Sequence, residues 1–439
     1  SRWKGFPTFG VAWHLGEEEF IKRLGFISLI KLRYSWGQSG NAPSGTSPYI
    51  GTFEAVTPGY GDMNAVKPAS PDLTHLKYET ITSNNIGVDF GLFSDKVNFT
   101  FELYKKVTDD LLQKKMKMPS STGLSTVAWY NSGKIQNKGW EFNIDVAAVR
   151  TKDWSFNFGF NISQNKNEIL ELPENKNDEL YTFGNKNYAY SVMMGDPLGS
   201  FYGYKYNGVY QNVEETYAVN TSGQRILDID GNPVVMKNGD QKVYPGDARY
   251  EDVNGDGVID ENDIVYLGNS NPTLTGGLNF TLRYKKVSLV AAFHGRAGQK
   301  VINQARMDME NMRGKNNQSV AVLRRWRSEG DDTDIPRALY DKGYNYLGSD
   351  RFVEDASFLR LKTVTLKYQM PAKWMKAIGV NKLELYATGY DMFVWTKYKG
   401  QDPEVNLKAA NDGTVAQVAI DSNNTPKPFK IAFGLNLNF

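Results

Sequence analysis

Residues 154 to 163 read WSFNFGFNIS. Trp154, Phe156, Phe158, Phe160 and Ile162 share one parity, and Ser155, Asn157, Gly159, Asn161 and Ser163 share the other. Side chains of an extended chain alternate between two faces, so this segment is a strand with one oily and one wet surface. Either the aromatics meet a protein core, as in a soluble sandwich, or they meet lipid, as in a membrane barrel.

The pattern recurs. Val97, Phe99, Phe101 and Leu103 alternate with polar residues, as do Trp140, Phe142, Ile144 and Val146, and Leu278, Phe280 and Leu282. At the end of the sequence Phe429, Ile431, Phe433, Leu435, Leu437 and Phe439 share one parity, with Lys430, Gly434, Asn436 and Asn438 on the other. Several runs reach about ten residues, enough to cross a bilayer when tilted by about 45°. Soluble strands more often stop at about five or six.

The spacing predicts strands at 5–15, 26–37, 76–92, 96–107, 139–149, 154–164, 185–194, 200–210, 274–284, 287–296, 357–368, 382–394 and 428–439. Joints such as FSD (93–95), RTKD (150–153) and YKK (284–286) are tight, whereas 38–75, 108–138, 211–273, 297–356 and 395–427 are long and polar. Short and long joints alternate. That is the sidedness of an outer-membrane barrel, with short periplasmic turns and long extracellular loops. The fold expected is therefore all-β, a transmembrane antiparallel β-barrel with lipid-facing aromatics, and Leu435 and Leu437 should face lipid while Asn436 and Asn438 face the lumen. A soluble sandwich has no reason to keep every long loop at one end.

About thirteen strands is an odd number, and bacterial single-chain barrels use an even one. The first and last predicted strands run the same way and cannot close an antiparallel seam. Residues 1–439 are therefore expected to be the C-terminal part of a larger barrel. PAKWMKAIG (371–379) is expected to form a short helix beneath it.

Composition narrows the chemistry. With 51 basic and 49 acidic residues the net charge is +2, which gives no electrostatic footprint for nucleic acid. There is no cysteine, so disulfides and thiolate metal sites are excluded. His14, His75 and His294 are far apart and lack metal-ligand spacing. Enzyme signatures are missing: GRAGQKV (295–301) lacks the glycine before its lysine and the hydroxyl residue after it, and no G-x-S-x-G elbow occurs.

One local motif carries chemistry. In DVNGDGVIDEND (252–263), Asp252, Asn254, Asp256, Val258, Asp260 and Asp263 occupy the ligand positions of a calcium loop, with Gly257 at the sharp turn. Asp263 replaces the usual glutamate, and its shorter reach makes bidentate contact harder, so the site expected is a structural Ca²⁺ in the 211–273 loop. Aromatic stretches at 130–133, 181–190 and 202–210 are read chiefly as an interfacial girdle, with the lining of a substrate cavity as the other reading.

IKLRYSWGQSGN (30–41), NIGVDFGLF (85–93), GKIQNKGWEFNIDV (133–146), GDPLGSFYGYKYNGVYQ (195–211), PGDARYEDVNGDGVID (245–260) and ASFLRLKTVTLKYQMP (356–371) resemble the C-terminal barrel of SusC/RagA-type TonB-dependent transporters. The likeness runs through the whole chain in order. It implies a 22-stranded barrel whose plug domain and first strands lie outside this sequence. It also implies active import of an oligosaccharide or peptide with a SusD-like surface lipoprotein, driven by the TonB–ExbB–ExbD motor, with two such pairs able to associate. The final FKIAFGLNLNF, with Leu435, Leu437 and Phe439, resembles the assembly signal of outer-membrane barrels. The competing readings are a passive porin or adhesin-like barrel and, further off, a soluble calcium-stabilised carbohydrate-binding β-protein. The substrate-binding residues are not assigned.

Overall fold

In a computed structural model the described residues are 3–438 without 46–47, 58, 60–62, 125, 173–180, 183–187, 191–192, 342, 378, 406, 410–416 and 424. One antiparallel sheet of eleven strands dominates. In order they are β1 (Thr8–Trp13), β2 (Ile27–Asn41), β3 (Glu79–Leu92), β4 (Val97–Asp109), β5 (Lys134–Arg150), β6 (Trp154–Glu171), β7 (Leu274–Tyr284), β8 (Val287–Ala297), β9 (Phe358–Gln369), β10 (Lys382–Thr396) and β11 (Lys430–Asn438). Each strand pairs with its sequence neighbour, so the sheet is an uninterrupted meander. β5 and β6 reach 17 and 18 residues, three times the length of an ordinary soluble strand. β1 and β11 form the two edges and run in the same direction.

Eleven strands, not thirteen, make the sheet. The two surplus assignments, 185–194 and 200–210, fall in the long connection between β6 and β7. Among their described residues, Ala189–Tyr190 and Ser200–Gly203 belong to a separate small sheet with Val265–Asn269, and Tyr206–Val209 pairs with Ala248–Tyr250. Alternation misled here because both parities are buried: Ser200, Phe201, Tyr202 and Gly203 are all covered. The expected helix is present as α3 (Ala372–Ala377); a second, α1 (Glu19–Lys22), lies in the joint between β1 and β2, and a third, α2 (Gln304–Glu310), lies in the β8–β9 loop.

The sheet register keeps the two chemistries apart. Phe158 stands opposite Phe280 on β7 and Val146 on β5, and Phe160 opposite Leu278 and Ile144. On β11, Leu435 pairs with Leu385 and Leu437 with Leu383, while Asn436 pairs with Glu384. Phe156, Phe158 and Phe160 are half-buried and lie in none of the buried clusters. Phe433, Leu435 and Ile431 are well exposed. An apolar sheet surface left open in this way is suited to hydrocarbon.

Aromatic rows frame that surface. Near the short turns Trp154 packs on Tyr284 at 4.3 Å between ring centroids, and Phe26 on Phe93 at 6.2 Å. Toward the long loops, Trp140 donates to Gln164 at 2.6 Å, and Phe293 stacks with Trp395 at 6.4 Å. From Trp154 to Gln164 is ten residues, about 34 Å of strand, which a tilt of about 45° turns into about 24 Å of height. The apolar band of outer-membrane barrels is about 25 Å tall.

The long connections are not free loops. Among the described residues four buried clusters lie in them: one joins Tyr188, Phe201, Ile302, Met307, Phe352 and Val418, and another Tyr210, Ala218, Met236, Val243, Ala248, Tyr250 and Ile259. The first draws on three different connections, so the loops following β6, β8 and β10 form one packed body at the long-loop end. Several of its charges meet in ion pairs as well. Arg351 reaches Glu310 at 3.1 Å, Arg306 bridges Glu310 at 2.9 Å and Glu354 at 3.1 Å, and Arg337 holds Asp247 at 2.7 Å.

Candidate functional site

The polar face of the sheet holds the densest set of charged and hydrogen-bonding side chains along the strands. Strand pairing builds it from single residues of alternating parity. In one row Arg33, Gly87, Glu102, Glu141, Ser163 and Thr275 stand side by side on β2 to β7. In the next, Asp89, Thr100, Asn143 and Asn161 do the same.

Arg33 organises this wall. Its guanidinium reaches Asp89 at 2.8 Å on β3 and Glu102 at 2.6 Å on β4. To touch β4 it must cross β3, and Gly87 makes the crossing possible: a Cβ there would sit 2.9 Å from Arg33 Nη2. Thr100 donates to Asp89 at 3.2 Å, and Asn85 to Glu102 at 3.3 Å. One arginine between two carboxylates leaves a net negative, hydrogen-bonding surface. A carboxamide cluster continues it, with Asn165 and Asn167 both donating to Asn137, at 3.2 and 3.0 Å. At the mouth, buried Arg360 on β9 binds Asp402 at 2.6 Å and Glu404 at 3.3 Å, fastening the β10–β11 loop to the same face.

The sequence contained every member of the Arg33 group at a polar-parity position. What it lacked was register, which alone reveals that residues 33, 89 and 102 meet. The loop aromatics point the other way. Tyr188, Tyr202 and Tyr210 are almost wholly buried in the loop body, so they are packing residues instead of girdle or cavity lining. Residues 183–187 of that stretch lie outside the described residues, as does Phe439 of the assembly signal.

The 252–263 segment folds as a tight acidic turn. Asp252 accepts from the backbone N–H groups of Gly255 at 2.7 Å and Gly257 at 2.8 Å. Asp263 accepts from Val253 at 2.8 Å and Asp260 at 2.9 Å. Gly257 has φ +86°, the left-handed conformation that a glycine adopts without strain. Asn254 donates to Asp256 at 2.9 Å, and Val258 is held in a short pairing with Lys237. Asp263 is fully buried, and burial, with the Asp252 charge adding to it, raises its carboxyl above the ordinary value. Among the described residues no three acidic or histidine side chains are gathered as a metal-ligand group. A cation here would have to draw on the Asn254 amide oxygen and the Val258 carbonyl as well as on carboxylates, a mixed oxygen set that suits calcium.

A family model described as TonB dependent receptor-like, beta-barrel matches residues 1–235. The chain belongs to the TonB-dependent receptor β-barrel family. It is 32% identical over 453 residues to TonB-dependent receptor P26 of Formosa agariphila, covering 100% of this chain and 43% of that protein. To TonB-dependent receptor SusC of Bacteroides thetaiotaomicron it is 28% identical, covering 100% of the chain and 40% of the relative. The solved RagAB peptide transporter matches 99% of the chain and 43% of its own at 23% identity with a TM-score of 0.74, a likeness of fold. The chain thus spans about two-fifths of the length of the relatives it matches. As a TonB-dependent receptor barrel it is an outer-membrane protein that crosses the membrane with many strands, of a transport and not a catalytic family.

Proposed function

We propose that residues 1–439 are the C-terminal part of the barrel of an active outer-membrane importer, with its plug domain and earlier strands outside this sequence. The eleven-stranded sheet is then half of a 22-stranded barrel, whose other eleven strands pair with the edges β1 and β11. The observation that carries this reading is the receptor-family match joined to a long open sheet with one apolar and one polar face. The polar wall around Arg33 contacts the plug or the cargo, and the packed loop body faces the exterior. A SusD-like surface lipoprotein supplies the lid, and the TonB–ExbB–ExbD motor pulls on the plug. Two receptor–lipoprotein pairs associate.

The cargo is a large nutrient, an oligosaccharide or a peptide; the solved protein of similar fold is described as a peptide transporter. Deleting the receptor gene should abolish growth on the cargo, and removing TonB should do the same with the receptor intact. Growth that survives loss of TonB would point to a passive pore.

The same reading includes a Ca²⁺ ion in the 252–263 turn. Asp252, Asn254, Asp256, Val258, Asp260 and Asp263 supply the oxygens, and the ion compensates the buried Asp263 carboxylate. The ion would stiffen the loop body and take no part in transport chemistry.

A further inference from the structure

The outward face holds one row that fits neither oil nor water. Lys105 on β4 stands directly opposite Lys138 on β5, and Lys138 opposite Lys166 on β6. All three share the parity of Leu103, Trp140 and Ile162, so they project from the apolar face, and all are exposed. Like charges directly opposite one another across strands are destabilising. Glu168 is the carboxylate within reach, 3.8 Å from Lys138 and 3.6 Å from Lys166. Among the described residues Lys105 has no acidic partner. Two of the three cations share one anion, and the third has none within reach.

The height of the row tells what would complete it. It lies two residues beyond the Trp140–Gln164 pair that marks the upper edge of the apolar band, on the long-loop side. Two residues of tilted strand are about 5 Å. That is the level of lipid headgroups in the outer leaflet, where the anionic group present in quantity is phosphate. The spacing of adjacent strands, about 4.8 Å, lets neighbouring ammonium groups converge on one phosphate.

We propose that Lys105, Lys138 and Lys166 form a seat for the phosphate of an anionic lipid in the outer leaflet. The inference rests on the membrane orientation given above. The full-length receptor in detergent would be titrated with diphosphoryl lipid A, with the same lipid stripped of phosphate, and with inorganic phosphate. Diphosphoryl lipid A should bind and the stripped lipid should not. Lys105→Gln should weaken binding about fivefold, the usual worth of one lysine near an anionic surface, and the triple glutamine variant far more. Glu168→Gln, which removes the competing carboxylate, should tighten it. Lys152→Gln and Lys285→Gln, in the short turns at the opposite end, should change nothing. Lys105→Gln, a single exposed substitution, should leave the heat-modifiable barrel intact, so its binding can be read even if the triple variant assembles poorly. Equal binding of the stripped lipid, indifference to Lys105→Gln, or full displacement by millimolar inorganic phosphate would overturn the proposal. If lipid contacts still alternate along β6 in such a case, the orientation stands and only the phosphate seat falls.

Discussion

The Arg360 guanidinium meets the Asp402 carboxylate at 2.6 Å at the mouth of the polar face, with the arginine side chain 3% exposed. Removing one partner of a buried pair leaves the other uncompensated, at about 3–5 kcal/mol. Arg360→Met should therefore lower the unfolding temperature and open the β10–β11 loop to protease. Asp402→Asn should cost less, because Glu404 still reaches the guanidinium at 3.3 Å. Thermal melts and limited proteolysis of the two variants check this ordering.

Charge on the apolar face should be penalised by depth. The sequence singles out Leu437, and Leu437→Arg at the midplane of a bilayer would cost about 2–4 kcal/mol. The register moves that residue toward the short-turn rim, opposite Leu383 near the start of β10, where an arginine costs about 0–1 kcal/mol. Phe433, opposite Ala387, stands nearer mid-height and should carry the larger penalty. Phe433→Arg should reduce the yield of heat-modifiable barrel well below that of Leu437→Arg, and Asn436→Arg on the polar face should be tolerated.

The calcium reading has a pH signature. Burial raises the Asp263 carboxyl above its ordinary value, so the metal-free fold favours the protonated form more than the unfolded chain does. The metal-free turn should be most stable below the ordinary carboxylate value and lose that stability as pH rises through the raised one. Calcium binds the ionised form, so its stabilising effect should be full at neutral pH and fade as pH falls through the same range. Protease protection of the 211–273 loop, measured with calcium and with chelator across that window, tests it; protection indifferent to calcium at neutral pH contradicts it.

The wall around Arg33 should behave as a unit. Arg33→Ala leaves Asp89 and Glu102 facing each other without their shared cation. Because the group is partly open to water, about 1 kcal/mol is expected. Gly87→Val should be worse than Arg33→Ala, since it blocks the path by which the guanidinium reaches β4. Barrel melting temperatures of the two variants and their combination would show the coupling, the second change adding little to the first.

Strand positions were legible because period two is a local property. The strands expected at 96–107, 154–164, 274–284 and 287–296 overlie β4, β6, β7 and β8, differing mainly at the long-loop ends, where β6 continues to Glu171. Tight turns and the helix at 372–377 were legible for the same reason. The loop body was not, since its cores join residues as distant as Tyr188 and Val418. Nor was the Arg33 group, whose members are separated by 56 and 69 residues and meet only through register. In the acidic turn the sequence identified the residues, while the geometry shows Asp263 bracing the backbone of Val253 and Asp260.

The central claim is that Trp154, Phe156, Phe158 and Phe160 face hydrocarbon while Ser155, Asn157, Gly159 and Asn161 line the interior. Fluorophores placed singly along 155–161 of the full-length receptor in bilayers, with quenchers attached to lipid chains, read this directly. Quenching should rise at positions 156, 158 and 160 and fall at 155, 157, 159 and 161. A flat profile, or one with the opposite parity, would contradict the account.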